Sequence, residues 1–270
     1  MAPRCADDTG GEEGMSRRRS PSGARHVVAY NWPLYLAGAA VAVGGALAGS
    51  RLRGTARAAA WTAGASGAWW TVASLVASHT VYDRSPLHGW DWLAPALARA
   101  GRPSHPGRHL VVSSGLDEAS AVIGALHPDA EQTVADLYDA LPVVESSLRR
   151  ARRRVAPRPG SVACTADALP AADASVDTVI APFALHELRA AADRDAVFGE
   201  VARVLRPGGA LVLVEHCRDA ANIAVFGPGA AHFMPRSRWL RAARGAGLRR
   251  ASEQRLGGFV TVFVMVRPER

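Results

Sequence analysis

Short apolar runs alternate with helical spacings over the second half of the chain. His109–Ser113, Gln132–Asp136, Ser161–Thr165, Val176–Ala181 and Ala210–Val214 are each rich in β-branched residues, too short for a helix and bounded by polar residues. Pro142–Arg154, Ala191–Leu205 and Pro235–Ala246 lie between or after them and repeat apolar residues at helical spacing. In the second of these, Val197, Val201, Val204 and Leu205 share one face, and Arg206-Pro207-Gly208-Gly209 stops the helix. Strand, helix and strand in that order predict parallel strands joined by right-handed crossovers. The last two runs, Leu248–Leu256 and Phe259–Val266, are joined only by Gly257-Gly258, which predicts an antiparallel hairpin. The fold class is therefore α/β.

The first half has a different pattern. Val27–Gly49 carries no charge and is long enough to cross a hydrocarbon layer of roughly 30 Å at about 1.5 Å per residue. Tyr30, Trp32 and Tyr35 cluster at its start, where amphipathic rings suit a membrane interface. Ala59–Val81 is uncharged apart from His79, and a short basic loop with Arg51, Arg53 and Arg57 separates the two segments. Gly38, Gly45, Gly49, Gly64 and Ala68 offer the small residues that close helix packing needs. The pair predicts a two-helix transmembrane hairpin over residues 27–81. A pair of soluble helices capping the core is the alternative. Residues 1–26 read as a disordered basic tail, its Arg17-Arg18-Arg19 a basic flank rather than an export signal. Residues 82–107 read as an interfacial segment and linker. Trp90 and Trp92 beside Asp91 suit either an interface or packing on the domain that follows, which spans 108–270.

Composition narrows the partners. The chain has 270 residues, a net charge of +8 and no Lys. Such charge suits a solvated surface or an anionic membrane surface. Nucleic acid is not expected, because no aromatic residues interleave with the Arg runs. Cys5, Cys164 and Cys217 are too few and too widely spaced for a disulfide framework or a thiolate metal site, and no metal is expected.

The motifs Asp167-Ala-Leu-Pro170, Asp177-Thr-Val-Ile180, His186-Glu187-Leu188 and Glu200 to Gly209 (EVARVLRPGG) stand in fixed order. Together they resemble the later motifs of class I S-adenosylmethionine-dependent methyltransferases, in the branch of ubiquinone- and menaquinone-type small-molecule enzymes. The resemblance runs from about His109 to Arg267. It implies a Rossmann-like, mostly parallel seven-stranded sheet with a C-terminal antiparallel hairpin. It implies S-adenosylmethionine as cofactor and a small-molecule or lipid-like acceptor. It places Asp167 at the adenine, with Ala168 and Leu169 packing on the ring. The family's acidic and glycine-rich turn after the first strand is worn here to Val112-Ser-Ser-Gly115-Leu116-Asp117-Glu118. Gly115 is the remaining permissive turn residue. Asp117 and Glu118 either favour the dipole of the next helix or receive the cofactor's amino group. Asp136, about 20 positions past the turn, suits the ribose hydroxyls.

Ligands of open α/β sheets sit beyond the carboxyl ends of the strands. His186 and Glu187 follow the fourth strand and His216 the fifth, so all three are candidates for acid–base work on the acceptor. Since S-adenosylmethionine is cytosolic, the domain is expected at the cell membrane facing the cytoplasm. Two functions follow: a membrane-anchored methyltransferase, or an inactive methyltransferase-like module that binds or scaffolds there. Gly-x-Gly-x-x-Gly is absent, which argues against a nicotinamide-dependent oxidoreductase.

Overall fold

The computed structural model describes residues 23–269. All but the last four positions of the expected tail, and Cys5 with them, lie outside those residues. Residues 23–26 open a helix instead of ending a tail.

Seven strands form one sheet: β1 (His109–Ser113), β2 (Gln132–Asp136), β3 (Val162–Ala163), β4 (Val176–Pro182), β5 (Leu205–His216), β6 (Arg249–Leu256) and β7 (Val260–Val266). Their order is β3-β2-β1-β4-β5-β7-β6, parallel except for β7, which runs antiparallel to both β5 and β6. Period-2 alternation sends neighbouring residues to opposite faces. Leu110 and Val112 enter one core with Phe198, Val201 and Trp239. Val111 enters the other with Leu93, Leu97 and Ile123.

The helices are α1 (Gly23–Arg51), α2 (Gly54–His79), α3 (Leu93–Arg99), α4 (Ser120–Leu126), α5 (Ser146–Arg152), α6 (Ala191–Val204), α7 (Ala220–Phe226) and α8 (Arg236–Gly245). α6 ends one residue before the chain enters β5, earlier than the Arg-Pro-Gly-Gly turn suggests. Residues 142–145 stay out of α5. The segment 82–100, ahead of the expected linker 101–107, packs on the sheet domain. Leu87, Trp90, Trp92, Leu93 and Leu97 are buried against the sheet, so the tryptophans pack on the domain rather than at an interface.

α1 and α2 pack as an antiparallel pair. Gly45 faces Gly64 and Gly38 faces Thr71, each so close that a Cβ would overlap its neighbour. α1 bends at Asn31, two residues before Pro33. Among the described residues α1 alone is long and apolar enough to cross a membrane, by length and composition; α2, with six Ser and Thr and only three Leu or Val, is not. The hairpin geometry is present, but the apolarity of two spans is not. Trp32, Leu34, Leu36, Val43, Trp69, Val72 and Val76 point outward from the pair. The base of α2 meets the sheet domain where Trp69 Nε1 donates to the Ala224 carbonyl at 2.9 Å and the Trp70 ring lies against Gly227. The segment Gly227–His232 is a 3-10 turn braced on α2.

Candidate functional site

Two groups of residues meet at the carboxyl ends of the parallel strands. The first surrounds a cavity of about 310 Å³ lined by Ser113, Gly115, Asp117, Asp136 and Arg152, closed by the turn from Ala156 to Ser161. Gly115 has φ +102°, and a Cβ there would overlap the Tyr138 ring. Only glycine holds this turn. Asp136 is 7% exposed; its Oδ1 accepts from the Tyr138 N–H at 3.1 Å and its Oδ2 faces Arg152 at 3.0 Å. The same guanidinium donates to the Gly115 carbonyl at 3.1 Å and lies 4.8 Å from the Tyr138 ring centroid. Sequence reasoning missed Arg152, because its partners are 14 to 37 positions away and no local pattern marks them.

Other predicted cofactor residues separate. Asp117 accepts from the Ala119 and Ser120 N–H groups at 3.1 and 2.9 Å, so it caps α4 while still lining the cavity. Glu118 is open to solvent yet crowded by surrounding chain, and that crowding together with Asp117 pushes its carboxyl up to about 7. It does not line the cavity. Asp167 and Ala168 are exposed and stand off from it. Leu169 is buried in the core, its N–H held by Glu200 at 2.8 Å. Residues of the turn 156–161 line the cavity, and those three do not.

The second group follows β4 and β5. His186 Nδ1 meets Glu215 Oε2 at 2.8 Å, and its Nε2 lies 3.3 Å from Glu187 Oε1. Glu215 is 1% exposed and also accepts the His186 backbone N–H at 3.2 Å. Burial opposes charge on His186, but Glu215 and Glu187 outweigh it and hold the imidazolium up to about 10. Burial likewise opposes charge on Glu187, and His186, His232 and Arg189 keep its carboxyl below the ordinary range. His232 packs edge-on to His186, ring centroids 5.0 Å apart, and burial with its cationic neighbours drives it down to about 3. Arg189 donates to the His232 carbonyl at 2.8 Å. Buried Arg194 fixes this loop by donating to the Leu188 and Arg189 carbonyls at 2.6 and 2.7 Å. Ser114 donates to the Ala184 carbonyl at 2.9 Å, which ties the loop to the turn of the first group.

His216 does not join His186 and Glu187. It sits among Tyr82, Phe183, Phe226 and Phe233, with Phe233 stacked at 4.9 Å. Its Nδ1 faces the Phe259 carbonyl at 3.2 Å and its Nε2 the Tyr82 hydroxyl at 3.1 Å. A neutral ring that donates through Nδ1 and accepts from Tyr82 satisfies both. Burial drives its pKa down to about 4.

The first group fits an adenosyl ligand on two observations. A carboxylate able to take two sugar hydroxyls faces the cavity, and the adjoining backbone carries no Cβ. Arg152 must withdraw from Asp136 for both oxygens to serve.

Residues 122–213 match the family described as a methyltransferase domain. An uncharacterised methyltransferase of Mycobacterium bovis is 32% identical over 136 residues, 50% of this chain and 46% of that one. A ubiquinone/menaquinone biosynthesis C-methyltransferase of Desulfotalea psychrophila is 30% identical over 133 residues, 49% of this chain and 50% of that one. The chain spans about half the length of these curated relatives. Among solved structures, a methyltransferase of Aquifex aeolicus aligns with TM-score 0.45 and 17% identity over 68% of this chain and 94% of that one. Human N-acetylserotonin methyltransferase, solved with S-adenosylmethionine, aligns with TM-score 0.44 and 13% identity over 75% and 56%. The stretch from Val122 to Leu213 thus matches the methyltransferase domain family.

Proposed function

We propose that the protein is an S-adenosylmethionine-dependent methyltransferase held at the cell membrane by its N-terminal helices, its domain in the cytoplasm, acting on a small or lipophilic acceptor. The observation that carries this reading is the convergence of Gly115 and Asp136, at the ends of adjacent parallel strands, on one cavity. Asp136 would hold the ribose hydroxyls and Gly115 would let the backbone approach. The cofactor, when bound, supplies a methyl group already activated by its sulfonium. The chain's own task is alignment and exclusion of water. At neutral pH His186 carries a proton and Glu187 does not, so His186 would donate to an acceptor oxygen and Glu187 would receive its proton. The pair thus divides into His186 as proton donor and Glu187 as base. The outward apolar face of α1 and α2 supports the membrane part, and a tether would concentrate a lipid-borne acceptor.

One observation favours the inactive reading: Arg152 occupies the carboxylate that the sugar needs. Calorimetry with S-adenosylmethionine on the full chain in detergent separates the two. The active reading expects saturable binding, lost or weakened at least about tenfold by Asp136→Ala through a missing charged hydrogen bond of about 1.5–3 kcal/mol. It expects Arg152→Ala to bind more tightly. A folded chain that binds nothing, with Arg152→Ala equally silent, would leave only the scaffolding module. The full chain is required, because a fragment begun at Gly101 would strip Trp90, Leu93 and Leu97 from the sheet.

A further inference from the structure

His186, Glu187 and His232 each present a ligand atom, and these atoms lie within 4.8 Å of one another. We infer that these three side chains form a binding site for one divalent transition-metal cation beside the cofactor cleft. The expectation of no metal rested on the cysteines, and imidazole with carboxylate is a different donor set.

Three features carry the inference. The donors are two imidazoles and one carboxylate, which suit Zn²⁺, Co²⁺, Mn²⁺ or Fe²⁺ and leave positions open for oxygen ligands. Glu187 is 6% exposed, yet its Oε2 has no hydrogen-bond partner, while its Oε1 stands 3.3 Å from His186 Nε2 and 3.9 Å from His232 Nε2. A buried carboxylate oxygen left unpaired is costly unless something takes it. Behind the site, Glu215 grips His186 Nδ1 at 2.8 Å. That is how a carboxylate orients a ligating imidazole, leaving Nε2 for the metal. Without metal, the protonated His186 ring and the Arg189 guanidinium supply the positive charge beside Glu187. Arg189 donates to His232 Nδ1 and, at 2.8 Å, to Nε2; it keeps the His232 carbonyl and Glu145 as partners when it yields that place to a metal. Within the methyltransferase reading, the open positions would hold adjacent oxygens of the acceptor, and the metal would then replace the His186 proton and Glu187 in the roles given to them above for the metal-free site. Metal binding itself does not depend on that reading.

The test uses the full chain in detergent, stripped with chelator and without S-adenosylmethionine. It is titrated with Zn²⁺ by calorimetry and with Co²⁺ by visible absorption. One saturable equivalent is expected. His186→Ala and His232→Ala should abolish it, and Glu215→Gln should weaken it about 10- to 100-fold at unchanged stoichiometry. His105→Ala should leave it intact, since His105 and His127 form a separate pair 4.8 Å apart at the surface. Glu187→Gln keeps the shape of the side chain and covers the case in which an alanine variant does not fold. A folded protein with no saturable binding would overturn the inference. So would binding that survives His186→Ala or disappears with His105→Ala. Cofactor binding, measured separately, reports on the methyltransferase reading alone.

Discussion

At the scale of single residues, two buried histidines on neighbouring strand ends are driven in opposite directions. His216 sits in an aromatic enclosure and loses its charge; His186 sits between two carboxylates and keeps it. Against an unfolded value of about 6.5 the signs follow. His216, whose folded pKa is near 4, contributes stability that is present above about 6.5 and is lost as pH falls through 4. His186, raised to about 10, contributes stability that is present below about 6.5 and is lost as pH rises through 10. The chain should be most stable near neutrality, and His216→Gln should flatten part of the acid limb, to which His232, driven down to about 3, also contributes, and leave the alkaline limb unchanged. Thermal midpoints measured across pH 4 to 10 in one detergent check this. An acid limb equally steep in the variant would assign it to other groups. Tyr82→Phe removes the donor to His216 Nε2 and should cost about 1 kcal/mol with the aromatic contacts retained. Strand-end reasoning pointed to Asp136, Gly115, His186 and Glu187, because parallel sheets place ligands at one rim, and all four lie there. It missed what restrains them. Tyr82 lies 134 positions from His216, and a hydroxyl in an apparent linker carries no local mark.

At the scale of elements, the strands were legible because β-branched runs bounded by polar residues have few other uses. The segment 82–100 is ambiguous in sequence for a physical reason. Tryptophan beside aspartate has one apolar and one wet side, which suits a membrane interface and a domain edge equally. Only the burial of Leu87, Leu93 and Leu97 against the sheet decides. The stretch from Glu200 to Gly209 was read as a helix end and a turn, and its polar positions have a further role. Glu200 accepts from the Leu169 N–H and from Arg203 at 2.7 Å; Arg203 in turn donates to the carbonyls of Leu169 and Ala171 and to Asp173. One helical turn of α6 thus staples the loop after β3. Glu200→Ala should leave the Leu169 N–H and the Arg203 guanidinium without their carboxylate, at a cost of about 2 kcal/mol. Hydrogen exchange should rise across residues 165–173 first. Unchanged protection there would mean that Leu169, buried in the core, holds the loop without help.

At the scale of the whole molecule, the helical pair and the sheet domain are joined at the rim that carries the site. Arg150 on α5 donates to the Tyr30 carbonyl of α1, and Arg152, two residues on, reaches Asp136. Trp69 and Trp70 of α2 brace the turn that carries His232. A hairpin that served only as an anchor would need none of these contacts. Its internal packing and its outer face can be separated experimentally. At Gly45 a Cβ would come within 2.5 Å of Gly64, so Gly45→Leu must push α1 off α2. The outward residues Leu34, Leu36, Val43 and Val72 are untouched by that change. If the outer face holds the chain in the bilayer, Gly45→Leu should remain in the membrane fraction after an alkaline wash. Loss of the close glycine contact should at the same time lower its thermal midpoint in detergent by several degrees, as about 1–3 kcal/mol of overpacking implies. Release of the variant into the wash would mean that attachment depends on the closed pair. Retention with an unchanged midpoint would mean that the two helices do not pack at Gly45 and Gly64. Cofactor affinity measured on the same sample then shows whether parting the helices reaches Asp136 through α5, as the paired arginines on that helix lead us to expect.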